Sequence, residues 1–127
     1  MKLEHVALLV ADPVGVARWY EAHLGMRVVR EGEAPGHARF LADDHGASIL
    51  EIYAGTLPAP DYASMDPALL HVAFATDDVE ATRDRLVAAG ASTVGEVVVT
   101  PTRDRFAMLR DPWGLPLQLA CRARALV

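Results

Sequence analysis

Apolar residues along the chain fall into short runs, and the runs come in an order that repeats. Leu3-Glu4-His5-Val6-Ala7-Leu8-Leu9-Val10 is a mostly apolar stretch broken by a histidine. Leu69-Leu70-His71-Val72-Ala73-Phe74-Ala75-Thr76 has the same form, its histidine 66 positions further on. Runs of this length predict strands, at about 3–10 and 69–76. Helical patterns then open at Asp12-Pro13 and Asp77-Asp78 and end at Leu24-Gly25 and Ala89-Gly90. The first predicts a helix over about 13–24, with Asp12 as N-cap, Pro13 in the first helical position and Gly25 just past the end. The second predicts a helix over about 78–89, where Asp77 and Glu80 have the spacing of a capping box. Their apolar stripes include Ala17, Tyr20 and Leu24, and Val79, Leu86 and Ala89.

Three strands follow each helix, near 26–31, 38–42 and 48–54 and near 95–100, 105–110 and 116–121. The turns before the last strands correspond: Leu41-Ala42-Asp43-Asp44-His45-Gly46 and Leu109-Arg110-Asp111-Pro112-Trp113-Gly114. The single polar residues inside those last strands, Glu51 and Gln118, are 67 positions apart. Four landmarks in one order at a nearly constant offset point to an internal repeat. The expected fold class is therefore α+β, with two tandem βαβββ modules in one domain over residues 1–127. Module 1 covers about 1–54, a proline-rich linker about 55–67, and module 2 about 68–127.

Side chains alternate across a strand, so residues two apart share a face. His5 lies with Ala7 and Leu9, His71 with Ala73 and Ala75, Glu51 with Ile49 and Tyr53, and Gln118 with Pro116 and Ala120. The opposite faces are apolar and suit packing against the helices. If the strands curve around a common space, His5, Glu51, His71 and Gln118 point into it, and small neighbours leave room beside each histidine. Unpartnered burial of four such groups is costly, so a metal ion, ordered water or mutual hydrogen bonds must satisfy them. Two imidazoles, a carboxylate and a carboxamide oxygen make a mixed N/O set suited to one divalent ion: Zn, Ni, Co, Mn or Fe. Such an ion is a Lewis acid for a carbonyl or an enediolate.

Composition narrows the function classes. The 127 residues carry 12 basic and 17 acidic side chains, a net charge of −5, and the basic residues form no run. A nucleic-acid partner would call for a basic field, so none is expected. One cysteine, Cys121, allows no intrachain disulfide and fits a reducing compartment. The N-terminal run is broken by charge, and no apolar stretch approaches a membrane span, so a cytoplasmic protein without a membrane partner is expected. No glycine-rich phosphate loop or Ser-His-Asp pattern stands out.

Glu4-His5-Val6-Ala7-Leu8, the helix end Tyr20-Glu21-Ala22-His23-Leu24-Gly25-Met26, Leu50-Glu51-Ile52-Tyr53, Leu70-His71-Val72-Ala73-Phe74 and Asp111-Pro112-Trp113-Gly114-Leu115-Pro116-Leu117-Gln118-Leu119 together resemble the vicinal oxygen chelate superfamily. That group includes glyoxalase I, methylmalonyl-CoA epimerase, fosfomycin- and bleomycin-resistance proteins and extradiol dioxygenases. The resemblance covers almost the whole chain. It implies the glyoxalase/bleomycin resistance/dihydroxybiphenyl dioxygenase fold, with metal ligands on the first and last strand of each module: His5, Glu51, His71 and Gln118. Bacterial glyoxalase I is expected to carry His, Glu, His and Glu in that order, and methylmalonyl-CoA epimerase His, Gln, His and Glu. Gln118 departs from both, which leaves Glu51 as the one carboxylate able to act as a base.

The resemblance implies a metal-dependent lyase or isomerase. It would act on a small α-oxygenated carbonyl or thioester through a metal-stabilised enediolate or enolate, with Glu51 as catalytic base. Two alternatives are a non-catalytic drug- or metabolite-binding protein of the bleomycin-resistance kind and an Fe(II) ring-cleaving dioxygenase using His5, His71 and Glu51. Members of this length imply a homodimer and a small-molecule ligand. Tyr53, Arg105 and Arg39 are candidate substrate-binding residues, the arginines for an anionic group. His23 at a helix C-terminus suits the dipole. Cys121 is expected to be a buried thiol on the face opposite Gln118.

Overall fold

The first helix starts where Asp12 can cap it. In the computed structural model, which describes residues 1–126, α1 spans Pro13–Leu24. The Asp12 carboxylate accepts a hydrogen bond from the Gly15 backbone N–H at 2.9 Å, and Pro13 sits in the first turn, where a helix needs no N–H from it. Gly25 ends the helix in the left-handed region, at φ 68°. Asp12→Ala is expected to lower stability by about 1 kcal/mol, read as a reduced urea midpoint with an unchanged slope.

The described residues form two units, Met1–Pro60 and Asp61 onward. In the first, strands β1 (Val6–Leu9), β2 (Arg27–Glu31), β3 (Arg39–Ala42) and β4 (Ile49–Tyr53) form one sheet in the order β1-β4-β3-β2. β1 runs parallel to β4, and the other pairs are antiparallel. Residues opposite one another share a face, so the register sorts the side chains. Ala7 lies beside Glu51, Phe40 opposite Glu51, and Arg30 opposite Phe40. On the other face Leu8, Leu41 and Ile52 are buried, and α1 packs across β2, β3 and β4 with Val16, Ala17 and Tyr20 buried. That apolar layer is the core of the unit.

The second unit repeats the design. Its strands are β5 (Val72–Ala75), β6 (Ser92–Val99), β7 (Arg105–Arg110) and β8 (Pro116–Cys121), in the order β5-β8-β7-β6, with β5 parallel to β8. Helix α2 (Val79–Ala88) packs on β6, β7 and β8. Val79, Leu86, Leu109, Leu117 and Leu119 are the buried layer. Both units are thus βαβββ, as the repeat predicts.

The structure corrects several boundaries. The cap of α2 is Asp78, not Asp77: the Asp78 carboxylate accepts from the Ala81 N–H at 2.9 Å, while Glu80 turns to pair with Arg105 instead of closing a capping box. β1 and β5 begin one residue after His5 and His71, so each histidine stands at the mouth of its strand. β6 begins earlier than expected and carries an irregularity between Val94 and Val98, with Gly95 at φ 72°. Such a bulge breaks the alternation that marks a strand in sequence.

The segment expected to be only linker contains a single 3-10 turn, Tyr62–Ser64, capped by the Asp61 side chain. The second unit holds it. Arg110 donates to the carbonyls of Tyr62 and Met65, each at 2.7 Å. Asp111, 3% exposed, receives the N–H groups of Trp113 and Leu115, each at 2.9 Å, and so shapes the turn that meets Ala63.

Candidate functional site

Glu51 lies mid-strand in β4, next to Ala7 across the parallel ladder. His5 stands two residues before Ala7. Because Ala7 is small, the imidazole can lean over it, and His5 Nε2 comes to 3.1 Å from Glu51 Oε2. His5 Nδ1 is engaged by the Glu4 carboxylate, and Phe40 stands edge-on to the imidazole at 5.8 Å. The His5 and Glu51 side chains are 33% and 21% exposed, so a small molecule can reach both.

The hydrogen bond to Glu4 raises the pKa of His5 above its ordinary value; partial burial opposes this, and the negative charges of Glu4 and Glu51 add to it. The electrostatics are simple. An imidazole lone pair facing a carboxylate oxygen at 3.1 Å is repulsive, so the interval calls for positive charge: a proton on Nε2 or a cation. Donors about 2.1 Å from one ion and at right angles to each other stand about 3.0 Å apart. The pair therefore fits two adjacent ligands of a metal ion.

The second unit carries the corresponding pair. Gln118 lies next to Ala73 across the parallel ladder, and His71 stands two residues before Ala73. His71 Nδ1 lies 2.8 Å from the Pro67 carbonyl oxygen. A carbonyl only accepts, so Nδ1 carries the proton and Nε2 the lone pair. Metal-binding histidines are commonly oriented in this way, by an acceptor on the nitrogen that does not ligate. Both histidines have it: a carboxylate for His5 and a carbonyl for His71. No group of three or more His, Cys, Asp and Glu suited to a metal ion occurs among the described residues. His5 and Glu51 stand as a pair in the first unit, and the register gives His71 and Gln118 the corresponding positions in the second.

Of the three residues expected to bind substrate, Tyr53 shares the Glu51 face, beside Leu9. The two arginines do not lie on the faces of Glu51 and Gln118. Arg39 is opposite Ile52, on the helix side of its sheet, and its guanidinium is spent on the carbonyls of Gly32, His37 and Ala38, with Glu31 at 3.9 Å. Arg105 is opposite Cys121, again on the helix side, and pairs with Glu80 of α2. The alternation that sorted the histidines contains this result: Arg39 shares parity with buried Leu41, and Arg105 with buried Ala107 and Leu109.

The same parity puts Phe40 on the face of Glu51, a placement that reading the arginines alone missed. Cys121 is half-buried rather than buried, its Sγ 3.7 Å from the Asp77 carbonyl. His23 lies against Trp19, ring centres 5.2 Å apart, in the last turn of α1. An open depression of about 330 Å³ is lined by Lys2, Glu4, Gly46, Ala47 and Ile49. Of these, Ile49 shares the Glu51 face of β4. Among the described residues no helix is long and apolar enough to cross a membrane.

Comparison with known proteins agrees with this fold. The model of the Glyoxalase/Bleomycin resistance protein/Dioxygenase superfamily matches residues 2–119. A lactoylglutathione lyase of Haemophilus influenzae is 29% identical, over 93% of this chain and 90% of its own length. Among solved structures, a glyoxalase family protein from Enterococcus faecalis is 29% identical, with a TM-score of 0.71 over 94% of this chain and 96% of its own. A glyoxalase family protein from Bacillus cereus shares the fold at a TM-score of 0.81 and 20% identity, over 96% of this chain and 94% of its own.

Proposed function

The chain belongs to the Glyoxalase/Bleomycin resistance protein/Dioxygenase superfamily, and from that premise we propose that it is a metal-dependent lyase or isomerase acting on a small α-oxygenated carbonyl compound or thioester. The observation that carries this reading is the 3.1 Å approach of His5 Nε2 to Glu51 Oε2, the spacing of adjacent ligands. His5 with Glu51, and His71 with Gln118, would serve as ligands for a divalent ion, one of Zn, Ni, Co, Mn or Fe. When bound, it would supply Lewis acidity at the substrate carbonyl, making the neighbouring C–H more acidic.

The chain's own residues do the rest. Glu51 takes a proton from the carbon beside the carbonyl; in an isomerisation it returns it to the adjacent carbon, and in an epimerisation the carbon is reprotonated on its opposite face by a proton from solvent. A carboxamide does not act as a base at neutral pH, so Gln118 binds and orients but moves no proton. Glu4 and the Pro67 carbonyl hold the two imidazoles with Nε2 outward. Tyr53, on the Glu51 face, offers a hydroxyl to a substrate oxygen. The likeness to a lactoylglutathione lyase supports this reaction class.

Elemental analysis of the purified protein by plasma mass spectrometry, beside His5→Ala and His71→Ala, tests the reading. About one equivalent of a divalent metal per site, lost in both variants, is the expected result. Absence of metal after reconstitution with each of the five ions would overturn it and leave a protein that holds a ligand without turning it over.

A further inference from the structure

One cross-strand row runs over the open face of the first sheet: Arg30, Phe40, Glu51, Ala7. Phe40 stands in the middle of it. His5 meets the Phe40 ring edge-on at 5.8 Å, and the Arg30 guanidinium carbon lies 5.9 Å from the ring centre. At that distance a guanidinium is attracted by an aromatic face. The side chain is thereby drawn inward over the row, although Arg30 is exposed. Among the described residues no carboxylate pairs with it. Arg39 and Arg105 are committed to carbonyls and to Glu80 on the opposite faces. Arg30 thus carries a planar fork of donors, paired with no acid among the described residues, on the same face as the proton-moving carboxylate.

We infer that Arg30 is a specificity-determining residue that binds an anionic group of the substrate, a carboxylate or a phosphate, remote from the reacting carbon. This rests on the proposed reaction at Glu51 and names its substrate class: an α-oxygenated carbonyl compound with an anionic tail. The Cα atoms of Arg30 and Glu51 are two strand spacings apart, about 10 Å. A substrate with its carbonyl at Glu51 lies across the Phe40 ring and brings its tail to the guanidinium. The fork matches either oxyanion in bidentate fashion, and Phe40 gives the intervening carbons an apolar floor.

The test is calorimetric titration with three probes: 2-oxoglutarate, its 5-methyl ester and 4-phosphono-2-oxobutyrate. Each is titrated into the unaltered protein and into Arg30→Ala, Arg30→Lys and Arg27→Ala, with and without reconstituted metal. Arg27, also on β2 and on the same face but opposite Ala42 rather than Phe40, tests whether the preference belongs to Arg30 or to positive charge anywhere on that face. The unaltered protein is expected to bind at least one anionic probe about tenfold more tightly than the ester, the scale of a charge-assisted hydrogen bond. The probe preferred separates carboxylate from phosphate. Arg30→Ala should bring the ratio to about one, Arg30→Lys should restore part of it because charge returns without the planar fork, and Arg27→Ala should keep it. The same ratio in Arg30→Ala as in the unaltered protein, or no preference in the unaltered protein, overturns the inference. A chain that takes up no metal but shows the Arg30-dependent ratio refutes the metal reading and leaves this one standing.

Discussion

Glu51→Gln is expected to retain metal but to lose turnover by a factor of about 10² to 10⁴, the usual contribution of a positioned general base. The substitution keeps an oxygen ligand of nearly the same shape and removes the acceptor of the proton. Deuterium uptake at the carbon beside the carbonyl, followed by proton NMR in heavy water with hydroxyacetone as probe, reads the step directly. It requires no knowledge of the natural substrate. The control is metal content: loss of exchange with metal retained assigns the proton to Glu51, whereas a variant that exchanges at the unaltered rate ends that assignment. His5 Nε2 lies 3.1 Å from the Glu51 carboxylate, so the neutral amide also removes one of the negative charges acting on the imidazole. The exchange rate is therefore compared at several pH values, and the loss should persist at each.

The largest expected effect on stability lies away from that chemistry, at Gly114. Its φ of +91° is in the region that side chains avoid, and a Cβ there would stand 2.7 Å from the Ala63 Cβ and 2.8 Å from the Ala63 backbone nitrogen. A flexible side chain could move aside, but backbone cannot without carrying the Tyr62–Ser64 turn with it. That turn is held by Arg110 through two carbonyls. Gly114→Ala combines backbone strain with overpacking, each of order 1–3 kcal/mol, and should cost about 3 kcal/mol. At this chain length that is a fall of roughly 10 °C in Tm. A drop of only a degree or two would mean that the turn yields at little cost.

The repeat made most of the architecture legible. Asp12-Pro13 and Gly25 set both ends of α1 because capping is local chemistry, written in adjacent residues. The start of α2 was ambiguous for the same reason. Asp77 and Asp78 both suit a cap, and only the folded backbone chose Asp78. β6 was cut short in the reading because Gly95 and the irregularity around it interrupt the period-two pattern. In the candidate site, the pairing of His5 with Glu51 followed from alternation and repeat spacing. The binding arginines did not. Arg105 resembles a pocket arginine of the superfamily by its place in the strand before the Asp-Pro-Trp-Gly turn, and Arg39 does so more weakly, yet parity with Leu41 and Leu109 puts both on the helix side. Arg30 was hidden differently: β2 shifts register between Val28 and Arg30, and an extra residue reverses which face follows.

The parallel pairing of the first strand with the last has a consequence for the order of assembly. β2, β3 and β4 join through short connections, whereas β1 reaches β4 only when the chain from Val6 to Leu50 closes into a loop. Closing long loops carries the larger entropic penalty, and contacts of high sequence separation form slowly. Those are the two strands that bring Glu51, mid-strand in β4, beside His5 at the mouth of β1, and β5 and β8 repeat the arrangement for His71 and Gln118. A nascent unit that has formed only its local meander has no donor pair. For the proposed metal site, loading of a refolding chain should therefore report the last-closing contact.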